Sequence, residues 1–327
     1  MKVSIIGGSG FIGTNLCHLL DNKNIDFEII DLKKSKSFPK NFKMGDVRIL
    51  QSLKDCISGD VVINLAAVHS DDLKDKNQYH LTNVIGAENI AKVCLLKEIK
   101  KIIFTSSVAV YGFAKPGTDE SGEINPFNEY GFTKFKAEEI FRSWQSKDNN
   151  SLIIVRPTVI FGEGNRGNVY NLLNQIFSKK FIMIGKGKNK KSMAYVKNLV
   201  SFLEVCIKSK ANYELFNYVD HPNFTMNDLV NYVHSKLFGK KSSGMKIPYF
   251  FGIFMGYISD GIAFLLNKNL PISSIRIKKF TSSTEFLSKN IEAKGFTPPY
   301  SIFEGLDRTL KSEFISPDPS KETFFTE

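Results

Sequence analysis

The sequence predicts an α/β fold, a doubly wound parallel sheet followed by a smaller C-terminal domain. Three observations predict it. Apolar, β-branched runs of strand length stand at residues 3–6, 27–30, 61–65, 102–104 and 152–155. Helix-length segments lie between them, at 11–20, 81–97 and 130–144. Near-continuous apolar strands of this kind belong to a parallel sheet covered by helices on both faces. The third observation is the glycine-rich stretch GGSGFIG at residues 7–13, set between the first strand and the first helix. A Rossmann-like sheet carries its phosphate-binding turn there.

Residues 1–165 are read as the nucleotide-binding domain. After about Gly162 the pattern changes to helices punctuated by Gly, Lys and Asn, with one further strand at 215–219, so strands around 190–220 are expected to return to the first sheet. Residues 166–311 are expected to form mainly a substrate-binding cap that includes an apolar segment at 247–266. From 312 to 327 the chain is polar and reads as a loose tail.

Composition narrows the partners. Lys and Arg number 44 against 33 Asp and Glu, a net charge of +11, which favours phosphates or an anionic lipid surface. No compact basic run with interleaved aromatics is present, which argues against nucleic acid. Cys17, Cys56, Cys94 and Cys206 form no C-x-x-C pair, so neither zinc nor a disulfide framework is expected, no metal site is assigned, and a reducing cytosol fits. The opening MKVSIIGGSGFIG has too short an apolar run for a signal peptide and is expected to be mature structure.

Glycines at 7, 10 and 13 allow a tight turn, close approach of backbone to a pyrophosphate and close packing of helix on strand. Asp31 follows Gly13 by 18 residues and ends the second strand. A carboxylate there accepts hydrogen bonds from a ribose 2′-hydroxyl and repels a 2′-phosphate, so NAD is preferred to NADP. Lys33 and Lys34 would offset part of that repulsion. The competing reading is a glycine turn that only packs, with Asp31 as a cap. In GDV, residues 45–47, Asp46 is a candidate adenine contact or a surface turn.

Tyr130 and Lys134, in YGFTK, stand four apart and share a helix face. A tyrosine of pKa about 10 is a poor base at neutral pH. The lysine ammonium, with the positive nicotinamide, is expected to bring the phenol towards the working range. Ser107, in FTSSVAVYG at the end of a strand, can hold a substrate oxygen while Tyr130 takes its proton. Alone, a Tyr and a Lys at this spacing decorate many helices. With the glycine turn, Asp31 and Ser107 they read as a site for oxidising an alcohol.

These motifs, with NLAA at 64–67 and RPTVIFG at 156–162, together resemble the extended short-chain dehydrogenase/reductase superfamily, in its branch of sugar epimerases and dehydratases. The resemblance covers nearly the whole chain. It implies that Ser107, Tyr130 and Lys134 are the catalytic trio, that Pro157 lies near the nicotinamide amide and that Asn83 supports the lysine. The implied cofactor set is Gly7, Gly10, Phe11, Ile12, Gly13, Asp31, Asp46, Val47, Ala66 and Pro157, with Tyr130 and Lys134. Dehydratases of this branch carry an Asp-Glu pair after the active-site hydroxyl; here Val108 and Ala109 stand there, and neither transfers a proton. Plain oxidation and reduction remains, as in a 4-epimerase. A net dehydrogenase would share every residue named, and a non-catalytic NAD(P) sensor would share the fold.

Epimerases of nucleotide sugars usually carry G-x-G-x-x-x-R past the middle, with the arginine on the diphosphate. This chain has GKGKNKK from residue 185, which puts Lys191 at that position. Lysine binds phosphate as a point charge instead of a planar fork. The blocks RPTVIFGEGNRGNVYNLLNQI, KSMAYVKN, SSIRIKKF and GLDRTL are similar to the bacterial N-acetyl-D-glucosaminyl-diphospho-undecaprenol 4-epimerases of O-antigen assembly. That likeness implies exchange of GlcNAc and GalNAc on a lipid-linked sugar diphosphate, with UDP-GlcNAc as the alternative substrate. His69, Asn83, Val108, Asn168 and Lys191 are the substrate candidates, with Asp71 beside His69.

Residues 247–266, IPYFFGIFMGYISDGIAFLL, contain two apolar stripes where a soluble amphipathic helix needs one. The surplus suits a polyprenyl groove or the membrane interface, with Lys268, Arg276, Lys278 and Lys279 meeting anionic headgroups. A helix pair broken near Gly256 or Gly261, or a homodimer contact, is the alternative. Peripheral attachment at the cytoplasmic face of the bacterial inner membrane is the expected location, because Pro248, three glycines and Asp260 interrupt a span.

Overall fold

Strands β1 (Lys2–Ile6), β2 (Asp26–Asp31), β3 (Phe42–Met44), β4 (Val61–Asn64), β5 (Lys101–Thr105) and β6 (Ser151–Pro157) form where the apolar runs lie, in a computed structural model that describes residues 1–69, 73, 75–147, 149–266, 270 and 273–325. Val3, Ile5, Ile63, Ile103 and Ile153 pack into one core with Leu16 and Leu20. Ile6, Ile30, Val62, Ile102 and Leu152 pack into another with Ile90 and Phe141. Successive side chains of a strand point to opposite faces. Both faces being covered, both sets must be apolar.

The cap adds β7 (Val159–Phe161), β8 (Ile182–Ile184), β9 (Lys190–Tyr195), β10 (Tyr213–Tyr218), β11 (Asp220–Thr225) and β12 (Met245–Ile247). β10 joins the main sheet, whose seven parallel strands run β10-β6-β5-β4-β1-β2-β3. The order reverses between β1 and β4, which opens a crevice at the carboxyl ends of those strands, the ligand side of such sheets. β11, β9 and β7 form a three-stranded sheet, and β12 pairs with β8. Of the strands expected around 190–220, β10 returns to the main sheet, whereas β9 pairs with β7 and β11 in the separate sheet. β7, β8, β11 and β12, of three to six residues each, escaped the sequence reading.

One expectation is corrected, and one alternative is set aside. The polar stretch from Ser312 does not trail loose. Phe324 donates its N–H to Gly164 O at 2.8 Å and accepts from Arg166 N at 2.8 Å, and its ring lies 5.7 Å from that of Phe11. Glu313 binds Gly164 N and Arg166, and Ser37 donates to Glu322. The tail is therefore a strap across the glycine-turn end of the sheet. The apolar segment, in turn, is one unbroken helix, Tyr249–Leu266. Gly252 and Gly256 face inward: a side chain at Gly252 would strike Ile184, and one at Gly256 would strike Ser274. Asp260, four residues on, accepts from Ser274 N at 3.2 Å. The opposite face is exposed, with Phe250 at 73%, Phe264 at 86% and Leu265 at 81%.

Candidate active site

At the crevice, Gly7 has φ +77°, and a Cβ there would lie 2.6 Å from Ala66 N. The turn can close against the loop after β4 only without a side chain, and Gly13 meets Gly8 in the same way. Gly10 caps the helix Phe11–Asn22 with no side-chain hydrogen bond, so the N–H groups of its first turn face the crevice. Asp31 accepts from Ser9 N at 3.0 Å and Lys33 N at 3.1 Å. The Ser9 hydroxyl is buried in this turn without a hydrogen-bond partner among the described residues. An uncapped helix start, a backbone cradle, an end-of-strand carboxylate and an orphan hydroxyl together fit the pyrophosphate and ribose of NAD. Lys33 and Lys34 are exposed, and it is the backbone of Lys33, not its ammonium, that reaches Asp31.

The other cofactor candidates divide. Phe11 is buried beneath the strap, Ile12 and Ala66 border the turn, and Pro157 is buried at the end of β6. Val47 packs on Gly86 and accepts from Asn89 Nδ2 at 2.9 Å. The Asp46 carboxylate is gripped by Arg48 at 2.7 to 3.1 Å, which holds it below the usual carboxylate range. An adenine would have to compete with that guanidinium for it.

Ser107 caps a short 3₁₀ turn, Val108–Tyr111, by accepting from Ala109 N at 3.1 Å. Tyr130 lies in the first turn of the helix Glu129–Gln145, capped by Asn128 through Gly131 N at 2.9 Å. A Cβ on Gly131 would come within 2.5 Å of Ala109 O. The glycine after the tyrosine therefore lets the helix start approach the serine turn, and the Ser107 side chain acts on the Tyr130 phenol, favouring its ionised form. Lys134, 1% exposed, lies 4.3 Å over the Phe104 ring.

The electrostatics differ from the sequence expectation. Burial raises the Tyr130 phenol above its ordinary value, and only the Ser107 hydrogen bond opposes it. Burial also pushes Lys134 down to about 7, with the Glu138 charge opposing. Desolvation outweighs mutual help for both groups, because each sits where its charged form lacks water. Near neutral pH Lys134 supplies its charge only in part.

The support beneath the trio was not foreseen. Glu138, one turn after Lys134, accepts from Ser106 Oγ at 2.6 Å and from Arg156 Nε and Nη2 at 2.8 and 2.6 Å. Arg156 also donates to Tyr111 OH at 2.6 Å, and Tyr111 donates to Asn217 Oδ1 at 2.8 Å. The network joins the tyrosine helix, the serine turn, β6 and β10. Its sequence signal was a lone arginine within the apolar run LIIVRP.

Among the substrate candidates, His69 is exposed with its ring 6.4 Å from that of Tyr130, and Val108 opens the serine turn. Asn168 is exposed at the start of the helix Asn168–Phe177. Asn83 is buried and spent: it pairs with the Val68 backbone at 3.0 and 3.1 Å and donates to Thr133 Oγ1 at 3.0 Å. It positions the residue before Lys134 and leaves nothing for a sugar. Lys191 is likewise committed, donating to Lys279 O at 3.0 Å and Ser282 O at 2.7 Å, and burial lowers it to about 8. It caps the end of the helix Ser274–Thr281 instead of standing free for a diphosphate. Asp71 and Lys268 lie outside the described residues.

Residues 3–218 match the NAD dependent epimerase/dehydratase family. The chain is 45% identical, over all of its own length and 99% of the other, to the N-acetyl-alpha-D-glucosaminyl-diphospho-ditrans,octacis-undecaprenol 4-epimerase of Escherichia coli O157:H7. Its fold superposes on the UDP-N-acetylglucosamine 4-epimerase of Bacillus cereus with a TM-score of 0.76 at 17% identity, covering 99% of this chain and 100% of that one. A UDP-glucose 4-epimerase of Thermus thermophilus, solved with NAD, gives 0.75 at 17% identity over 97% and 100%.

Proposed function

The chain belongs to the NAD dependent epimerase/dehydratase family, and from that premise we propose that it is an NAD-using 4-epimerase that interconverts GlcNAc and GalNAc carried on undecaprenyl diphosphate. The observation that carries the reading is the end-to-end identity of 45% to the Escherichia coli O157:H7 epimerase. The close approach of the Tyr130 helix start to the Ser107 turn, with Gly131 against Ala109 O, suits that chemistry. Val108 and Ala109 supply no group for moving a proton at C5. That leaves oxidation and reduction at C4.

In this reading Gly7, Gly10, Gly13, Ser9 and Asp31 hold the cofactor, and Ser107 donates a hydrogen bond to the sugar O4. Tyr130 takes the O4 proton as the C4–O bond becomes a carbonyl, and returns it when the carbonyl is reduced from the other face. Bound NAD would supply the acceptor and donor of the C4 hydride, and its positive ring would add the charge that Lys134 supplies only in part. Asn83 and Glu138 act at one remove, fixing Thr133, Ser106 and the tyrosine helix. The sugar turns over between the two steps, so one NAD serves many turnovers.

The enzyme works at the cytoplasmic face of the inner membrane as a peripheral protein. The exposed aromatic face of Tyr249–Leu266 beside the basic helix Ser274–Thr281 supports that placement. Purified protein, without added NAD, would be given undecaprenyl-diphosphate GlcNAc or UDP-GlcNAc, and the sugar identified after mild acid release. GalNAc from the lipid-linked sugar alone is the expected result. Conversion of UDP-GlcNAc alone overturns the lipid reading, and net accumulation of a keto sugar overturns the epimerase.

A further inference from the structure

An open cleft of about 460 Å³ lies beside the catalytic turn, lined by Phe113, Tyr249, Lys278, Thr281 and Ser282. That volume falls within the range of roughly 300–1,000 Å³ usual for small-molecule sites. Phe113 follows the serine turn by two residues and packs against Phe127 with the rings tilted, centroids 4.5 Å apart. Phe127 immediately precedes Asn128, the cap of the Tyr130 helix. One wall of the cleft thus hangs from the two elements that hold Ser107 and Tyr130.

The opposite wall is Tyr249, first residue of the helix Tyr249–Leu266, together with the end of Ser274–Thr281. Near it, Lys278 Nζ lies 5.6 Å from the Tyr257 ring, and Lys279 Nζ lies 5.1 Å from the Phe127 ring. Phe113 and Phe127 are half exposed, a cost in water that an apolar ligand would remove. From Tyr249 the exposed face runs on through Phe250, Phe254, Tyr257 and Phe264. A ligand that is polar at one end and a long hydrocarbon at the other matches this layout. A nucleoside would leave the length of the helix face uncovered.

We propose that this cleft holds the first isoprene units of a polyprenyl diphosphate, between Phe113 and Tyr249, and that the remaining lipid follows the helix face to the bilayer. The assignment rests on the proposed function and adds the route by which the lipid carrier reaches Tyr130. Specificity for lipid over nucleotide then lies in aromatic residues of the cleft.

The test uses GlcNAc on farnesyl diphosphate, a carrier short enough to assay without membranes. Phe113→Ser and Tyr249→Ala should each raise KM about tenfold, the loss of one apolar contact, with kcat held within about twofold. Bound NAD and thermal unfolding would be measured on the same samples. A folded, NAD-holding variant with parental KM overturns the cleft. If a variant fails to fold, a diazirine on the first isoprene of the same carrier decides with the parent enzyme. Crosslinks on the peptides bearing Phe113 and Tyr249 support the assignment, and crosslinks confined to other peptides overturn it. A parent active on the lipid-linked sugar with unaffected variants sinks the cleft alone, whereas a parent active only on UDP-GlcNAc sinks the function and the cleft together.

Discussion

Helix Glu129–Gln145 and helix Tyr249–Leu266 are nearly equal in length, 17 and 18 residues, and are packed in opposite senses. The first buries Thr133, Lys134 and Glu138, three residues that usually face water, while Phe132 is exposed. The second buries glycines and exposes phenylalanines. Burying a charge is costly unless it is matched, so the first helix sits in a network in which Glu138, Arg156 and Tyr111 satisfy one another. Exposing a large apolar face is costly unless something covers it, and inside this chain nothing among the described residues does. The tyrosine helix is therefore complete within the fold, whereas the cap helix leaves an apolar face uncovered among the described residues.

The largest expected effect tests the completeness of the first region. Tyr130→Phe removes the proton acceptor and should lower kcat by about 10²- to 10⁴-fold, the usual contribution of a general acid or base. The protein should stay folded and should still release NAD on denaturation, because the phenyl ring remains. A variant as active as the parent would break the comparison at its root, since the buried helix would then be serving packing alone.

Next comes the network. Glu138→Gln leaves Arg156 buried without its counter-charge, and breaking such a pair costs about 3–5 kcal/mol. Urea unfolding would measure this. A cost below about 1 kcal/mol, the size of a surface ion pair, would show that water reaches the network and that the burial contrast between the two helices is overstated.

Much of this was legible in the sequence, for identifiable reasons. A parallel sheet writes itself as apolar runs because both faces are buried, and the glycine turn is visible because Gly7 and Gly13 tolerate no side chain. The candidates Ser107, Tyr130 and Lys134 were read from residue type and spacing, and the structure sets the start of the tyrosine helix against the serine turn. What escaped depends on which partner a side chain finds. Lys191 and a phosphate-binding lysine look alike until the carbonyls of Lys279 and Ser282 are seen around it. Asn83 was read as a support for the lysine and was also counted towards the sugar; its side chain pairs instead with Val68 and Thr133, and nothing in a linear pattern shows that its amide is already saturated. Tyr130 and Lys134 share a face as expected, but burial, which sequence does not display, set the direction of both shifts.

A smaller effect concerns acid. Burial alone would raise Glu28, but hydrogen bonds from Lys43, Ser4, Ser58 and Lys2 bring it down to about 2 from an ordinary 4.5. A carboxylate depressed by folding adds stability above its unfolded pKa and loses it as pH falls through its folded one. The window is therefore between about pH 4.5 and pH 2, and the amount, after discounting for its half-exposed lysine partners, is on the order of 2 kcal/mol. Glu28→Gln should flatten unfolding free energy against pH in that window. A parental slope there would place the acid sensitivity elsewhere, and would separate the sheet core from the catalytic helix as a source of buried charge.

The smallest expected effect on folding is the sharpest test of the second region. Phe250 and Phe264 are 73% and 86% exposed, so changing both to Ser removes little that the fold has buried, and unfolding free energy should stay within about 0.5 kcal/mol of the parent. In a bilayer the same rings bury nearly all of their area, each worth on the order of 1.5–3 kcal/mol. The pair should therefore lose at least about tenfold in binding to vesicles containing phosphatidylglycerol. Salt should weaken the parent's binding through Arg276, Lys278 and Lys279, and should do so equally in the variant, because the charges are untouched. If the variant instead unfolds readily or changes its oligomeric state, the rings are packing against protein, either their own or a second copy. In that case the two helices obey the same rule after all, each burying what it cannot leave in water.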